Sequence, residues 1–366
     1  MKYKKIVLKV GTSVLAKEDG DIDRNIIENI VSQVVHLLDK NVKVIIVSSG
    51  AISAGRGILK SRSASNSLSD LQAMASVGQS QLMHLYREAF KKRGYLVGQI
   101  LLTQDDFDDR KRYLNIKYTI DALISNKPKQ IVPIVNENDT VSTEEIKLGD
   151  NDKLSSLVAD LSEADALIML TDVMGLYDKE DRVIENVEDI SDEIEKAVGK
   201  KLLSFTKGGM VTKLEAARRV MHSDIDCFIA KGTKPNIISH IAEGNREIEY
   251  TYFKAKKVKE KAKKRWIAHS SKIKGKIVVD EGAKQALIKS HKSLLASGVT
   301  GNIGNFKAGD VVGITDSGKK EFARGLTNYS SQELERIKGL KTGQIESALG
   351  YKDHDEVVHR DNLVML

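Results

Sequence analysis

The chain has 366 residues, 41% of them apolar and 30% charged, which suits a soluble protein with two domains and at least one large core. One cysteine, Cys227, and three prolines exclude a disulfide framework and fit a reducing compartment. The formal net charge of +7 resides in "KAKKVKEKAKKR" (254–265), with seven Lys, one Arg and one Glu, so the rest of the chain nets to zero and general nucleic-acid affinity is not implied.

The start, "MKYKKIVLKVGTS", has too short an apolar run for a signal peptide, and Lys9 breaks it. No eighteen-residue apolar segment occurs, so a cytoplasmic protein without membrane spans is expected. "KIVLKV" (5–10) reads as the first strand. In "DRNIIENIVSQVVHLLDK", Ile26, Ile27, Ile30, Val31, Val34, Val35 and Leu38 fall on one helical face, with Asp23 available as N-cap. "VKVIIV" (42–47), "YLVGQILL" (95–102), "QIVPIV" (130–135), "ALIMLT" (166–171) and "CFIA" (227–230) follow as strands, most of them continuous apolar runs that suit coverage on both faces. Within "KGGMVTKLEAARRVM", Gly208 and Gly209 stand at the start of a helix. Strand and helix alternate up to about residue 253, predicting an α/β domain with a mainly parallel sheet sandwiched by helices. Past residue 270, short apolar pieces separated by Gly, Asp, Asn and Ser predict a small, mostly β domain with a helix or two. The expected organisation is 1–253, a basic linker at 254–272 that includes Trp266, and 273–366.

Ligands of such sheets bind beyond the carboxyl ends of the strands. The first strand ends in Lys9, Gly11, Thr12 and Ser13; the second in Ser48, Ser49, Gly50 and, later, Gly55. Glycines and hydroxyls there let backbone N–H groups approach a phosphate or carboxylate. A lysine near the end of a buried strand is costly by several kcal/mol unless it meets an anion. The fourth strand runs into "NENDTVSTEEIKLGDND" (136–152), the fifth into Thr171 and Asp172, and Lys213 sits in the first turns of the glycine-started helix. There is no Walker loop and no strand-linked G-x-G-x-x-G. "DNDKLS" fails the EF-hand register, because Leu154 and Ser155 occupy the fifth and sixth positions. Two lysines, Gly-hydroxyl turns and an acidic amide loop at one sheet edge suit phosphoryl transfer without a P-loop. Blander readings stand beside these: Asp152 as N-cap of "KLSSLVADL", Cys227 as a buried small hydrophobe, and "DHDEVVHRD" (353–361) as a polar C-terminal strand rather than a His354, Asp355, His359, Asp361 metal cluster.

"VLKVGTSVL", "VSSGAISAG", "NENDTVSTEEIKLGDNDKLSSLVADL", "LTDVMGLYD" and "GGMVTKLEAA" resemble, in order and spacing, the amino-acid kinase family. They are most similar to its members that phosphorylate the γ-carboxylate of L-glutamate to L-glutamyl 5-phosphate, the first step of proline biosynthesis. "VVDEGAKQAL", "FKAGDVV" and "ARGLTNYSSQEL" resemble a PUA domain, an RNA-binding module. The resemblance implies that Lys9 and Lys213 neutralise charge during transfer and that Asp152 holds both. It implies Ser49, Asp139 and Asn151 for glutamate: the aspartate for the ammonium, Ser49 and Asn151 as donors to carboxylate. ATP falls to Lys9, Gly11, Thr171, Asp172 and the run Lys207, Gly208, Gly209, Met210, Val211, Thr212, Lys213. Magnesium would be held mainly by the ATP phosphates, with no protein metal site. "TVSTEEIKLG" becomes a flap over glutamate. Further implications are proline as feedback inhibitor near "QDDFDDRKRYLN", a homo-oligomer (tetramer or dimer), a functional link to glutamyl phosphate reductase, and RNA contact through the PUA-like domain. The nucleotide loop reads "FTKGGM" where the family has "GTGGM", and the segment after "GLYD" is short. The alternatives are an RNA-binding protein whose kinase-like domain is secondary, and another amino-acid kinase such as acetylglutamate kinase. Retention of Lys9, Asp152 and Lys213 favours the enzyme.

Overall fold

Apolar, β-branched runs build the larger sheet. In this computed structural model, which describes residues 1–17, 20–59, 67–126, 129–141, 150–190, 209–256, 262–269, 273–318 and 320–366, the chain packs as two compact units, Met1–Lys259 and Glu260–Leu366. In the first, β1 (Lys5–Val10) is flanked by β2 (Lys43–Ser48) and β5 (Ala166–Thr171), both parallel to it. Outward lie β4 (Ile131–Glu137) and the edge strand β3 (Leu96–Leu102) on one side. On the other lie β7 (Asp226–Lys231), β8 (Thr251–Phe253) and the short β6 (Asn186–Val187). The order is β3-β4-β2-β1-β5-β7-β8-β6; β8 pairs antiparallel with β7, and β6, parallel to β8, runs opposite to the other strands as well. Because β1, β2, β4 and β5 run the same way, the loops that follow them emerge at one edge.

Helix α2 (Arg24–Asp39), which follows the one-turn α1 (Thr12–Leu15), covers one face. The Asp23 side chain caps it by accepting from the Asn25 N–H at 2.8 Å, and Ile27, Ile30, Val31, Val34 and Leu38 are buried against Ile6, Leu8 and Val44. The apolar run of β3 departs from the expected double coverage. With one neighbour strand it leaves Leu96 66% exposed.

Helices α3 (Ala51–Leu59) and α4 (Leu68–Lys91) cross at two glycines. A Cβ on Gly55 would lie 2.0 Å from the Met74 carbonyl oxygen, and one on Gly78 only 1.8 Å from that of Ala51. This near-contact of backbones brings α4 against the turn after β2. Between β3 and β4 run α5 (Gln104–Asp108) and α6 (Arg110–Ile124); α7 (Asp150–Leu161), α8 (Gly209–Met221) and α9 (Ile237–Glu243) follow among the described residues.

The second unit has a five-stranded sheet, β10 (Val299–Gly304), β9 (Gly275–Val279), β11 (Val311–Thr315), β12 (Glu321–Leu326) and β13 (Leu363–Met365) in that order, antiparallel except for β9 against β11. It carries more helix than expected: α10 (Ala262–His269), α11 (Glu281–Ser290), α12 (Ser331–Ile337) and α13 (Ile345–Leu349). Trp266 and Ile267 of α10 are buried, so part of the segment read as a linker is ordered helix. "DHDEVVHRD" is not a strand. Val358 makes one isolated bridge to Leu294, Arg360–Asn362 form a 3-10 turn, and the strand begins only at Leu363. Among the described residues no group of three or more His, Cys, Asp or Glu side chains is placed to hold a metal ion. No described helix is long and apolar enough to cross a membrane.

Candidate active site

Lys9 sits one residue before the end of β1, with Val47 and Met169 beside it on the neighbouring strands. Its side chain is 6% exposed, and its Nζ lies 2.6 Å from Asp152 Oδ1. The other carboxylate oxygen faces Lys213 Nζ at 3.2 Å and accepts from Thr212 Oγ1 at 2.8 Å. Lys213, in the opening turns of α8, also donates to the Gly209 carbonyl at 2.9 Å. Two buried ammonium groups therefore share one buried carboxylate. Burial pushes the Asp152 carboxyl up, but Lys9 and Lys213 outweigh it and hold the group below the usual carboxylate range. Burial draws Lys9 below the ordinary lysine value, against the pull of Asp152. Asp152 is not the N-cap of its helix. The helix begins at Asp150, so Asp152 lies in the first turn with its side chain turned to the lysines.

Gly11 and Gly50 differ in what they supply. The Gly11 N–H donates to the Leu170 carbonyl at 3.1 Å, so the backbone donor expected there is already engaged. Gly11 contributes space instead: a Cβ would stand 3.1 Å from that same oxygen and 3.5 Å from Lys9 Nζ. Gly50 has φ +103°, a conformation that favours glycine. Next to it, Ser49 Oγ accepts from Asn151 Nδ2 at 2.9 Å. At the end of β5, Asp172 Oδ1 accepts from Thr171 Oγ1 at 2.9 Å and Ser13 Oγ at 3.2 Å. Burial raises the Asp172 carboxyl, but these hydrogen bonds bring it below the usual range.

The structure thus brings Lys9, Asp152, Thr212 and Lys213 together, and Ser49 with Asn151. Asp139, half-buried, lies in the turn after β4, where the Asn138 N–H meets the Leu102 carbonyl at 2.8 Å. Met210 and Val211 lie in the first turn of α8, Val211 42% exposed. Lys207 and Gly208, the "FTK" variation and residues 142–149 of the expected flap lie outside the described residues. Sequence reasoning missed Asn136 and Gln79 as parts of the site. Asn136 Nδ2 donates to Gln79 Oε1 at 2.8 Å, and Asn136 Oδ1 accepts from Asn151 at 3.0 Å. Asn136 stood within the acidic stretch, but Gln79 carried no motif. Its one signal was Gly78, an unfavourable residue for the middle of a helix.

Residues 4–231 match the profile of the Amino acid kinase family, and residues 275–349 that of the PUA domain. The chain belongs to the amino acid kinase family. A relative from Thermoanaerobacter sp. (strain X514), named glutamate 5-kinase, is 46% identical over 99% of this chain and 98% of its own. Relatives of the same name from Moorella thermoacetica and Geobacter sulfurreducens are each 43% identical, over 99% and 100% of this chain and 96% and 98% of theirs.

Proposed function

We propose that this amino acid kinase transfers the γ-phosphoryl group of ATP to the γ-carboxylate of L-glutamate, giving L-glutamyl 5-phosphate and ADP, the first step of proline biosynthesis. The Lys9–Asp152–Lys213 cluster carries the reading, in a chain whose relatives share its full length. The substrate carboxylate is ionised at neutral pH, so no general base is required. One of its oxygens attacks the γ-phosphorus, a C–O–P linkage forms, and the bond to the β-phosphate oxygen breaks with its electrons leaving on ADP. The obstacle is the approach of one anion to another. Lys9 and Lys213 meet it with two ammonium groups fixed in place beforehand, at no reorganisation cost during transfer.

In this reading Ser49, Asp139 and Asn151 hold glutamate, while Gly11, Thr171, Asp172 and the 207–213 segment hold ATP. Magnesium, carried mainly by the phosphates, would supply further charge neutralisation, with the ionised Asp172 available to one of its waters. Proline as competitor for the glutamate pocket, a homo-oligomer, a cytoplasmic setting, and a reductase that consumes the labile acyl phosphate accompany the same assignment. RNA contact would belong to residues 275–349, the PUA match. The deciding experiment is ATP turnover with and without L-glutamate, trapping the acyl phosphate as its hydroxamate. Lys9→Ala and Lys213→Ala are each expected to lower kcat by about 100-fold or more with the fold retained. ADP release indifferent to L-glutamate would defeat the proposal.

A further inference from the structure

Behind the glutamate-facing residues runs a chain of amides whose polarity is fixed at one point. The backbone N–H of Glu137 donates to Asn136 Oδ1 at 2.9 Å. A backbone N–H is only ever a donor, so this contact identifies the Asn136 oxygen and directs its Nδ2 the other way. Nδ2 donates to Gln79 Oε1 at 2.8 Å, which fixes the Gln79 amide in turn. Asn136 Oδ1 accepts one hydrogen of Asn151 Nδ2 at 3.0 Å, and the second goes to Ser49 Oγ at 2.9 Å.

Both donors of Asn151 are therefore engaged within the protein. Its remaining polar atom, Oδ1, is buried with no partner among the described residues, and so is Gln79 Nε2. An unpaired buried acceptor costs about 1–3 kcal/mol, so a ligand that satisfies it is bound in preference to one that does not. Ser49 Oγ, accepting from Asn151, keeps its own hydrogen to donate. The pair offers an acceptor beside a donor, the complement of an ammonium next to a carboxylate. An acceptor role here would stand in place of the donor role that the resemblance implies for Asn151.

We propose that Gln79 is a positioning residue for the substrate's ammonium group: its Oε1 locks Asn136 and Asn151 in the polarity that leaves Asn151 Oδ1 free to accept an ammonium N–H. The proposal rests on L-glutamate being the substrate. In this proposal Gln79 acts through Asn136 and not by its own contact with glutamate. It is 9% exposed on α4, and Asn136, between it and Asn151, is 2% exposed. Without an acceptor at position 79, Asn136 Nδ2 is left unpaired. Its amide then gains by rotating toward another partner, which releases Asn151 from its orientation.

The test compares the full-length wild type with Gln79→Met, which keeps the length and removes both polar atoms, and Gln79→Glu, which keeps an acceptor. Kinetics by hydroxamate trapping give kcat and KM for L-glutamate and ATP. Glutarate, which lacks the ammonium, is measured as a competitive inhibitor. Gln79→Met is expected to raise KM for L-glutamate about tenfold, the loss of roughly one hydrogen bond, with KM for ATP and the glutarate inhibition constant within about twofold of wild type. Gln79→Glu is expected to restore KM to within about threefold. A merely structural defect would reduce active enzyme and hence kcat, leaving KM alone. The proposal is overturned if Gln79→Met leaves KM for L-glutamate unchanged, if glutarate weakens in proportion, or if Gln79→Glu is as impaired as Gln79→Met. A wild type with no glutamate-dependent turnover overturns the substrate assignment and this proposal together. Normal wild-type turnover with an indifferent Gln79→Met overturns only the role of Gln79.

Discussion

Asp152 decides the electrostatics of the site. Its side chain is 1% exposed and faces two lysines, one at 2.6 Å and one at 3.2 Å, so the cluster keeps one surplus positive charge for an incoming anion. Asp152→Asn preserves shape and removes the charge that lets two ammonium groups share one buried space. We expect a stability loss of about 3–5 kcal/mol, because uncompensated buried charge remains, and a loss of kcat of about 100-fold or more. The pH dependence has a definite sign. The folded-state pKa of Asp152 is lowered, so its stabilisation is fully present above the unfolded carboxylate value near 4 and is lost as pH falls through the lower folded value. The Tm difference between wild type and Asp152→Asn should therefore stay constant from pH 7 to about 5 and shrink only below about pH 4. A difference that already shrinks between pH 7 and 5 would contradict this. Cys227, by contrast, is buried and burial pushes its thiol well up, which suits a small hydrophobe of the sheet core.

At the scale of elements, the α3–α4 crossing places Gln79 where it can reach Asn136. Gly78→Ala would set a methyl 1.8 Å from the Ala51 carbonyl oxygen, a backbone atom that cannot turn aside, so the helices must separate. The expected result is a loss of about 1–3 kcal/mol in denaturant unfolding, accompanied by a higher KM for L-glutamate. An unchanged midpoint would mean that the helices tolerate the separation. The same crossing shows what local pattern can and cannot reveal. The β1, β2, β4 and β5 runs and the buried face of α2 were readable because burial imposes a period on neighbouring residues, and the Asp23 cap because it acts two residues away. Lys9 was readable as a charge in a strand that needed an anion. Gln79 was not, because its partner is 57 residues away and nothing local marks the pairing. The blander reading of Asp152 as an N-cap fails because α7 begins two residues earlier, a boundary that sequence alone does not show. The final strand was displaced for a related reason. "VVHR" has the composition of a strand, but Val357 and Val358 are consumed as core contacts of the second unit.

For the whole molecule, the residues proposed for the active site all belong to one of the two units. Lys9, Ser49, Gln79, Asn136, Asn151, Asp152, Asp172 and Lys213 all lie within Met1–Lys259. Glu260–Leu366 has a core of its own, built on Ile277, Val312, Ile314, Tyr329, Leu334 and Val358. A domain with its own buried core can fold without its neighbour. Met1–Lys259, expressed alone, is therefore expected to fold and to keep glutamate-dependent ATP turnover, with KM for L-glutamate and ATP within about threefold of the full chain. Circular dichroism checks folding and the hydroxamate assay checks turnover. The cut also divides the basic run, leaving Lys254, Lys256, Lys257 and Lys259 on the first piece and a net +3 (Lys261, Lys263, Lys264 and Arg265 against Glu260) on the second. If RNA is bound by the PUA match itself, Glu260–Leu366 should retain that binding and its salt dependence; a slope of log K against log salt lower by about 3–4 would show instead that the four lysines left on the first piece neutralise phosphates. Turnover lost from a folded Met1–Lys259 would show that the second unit takes part in the reaction, which the location of the site residues argues against.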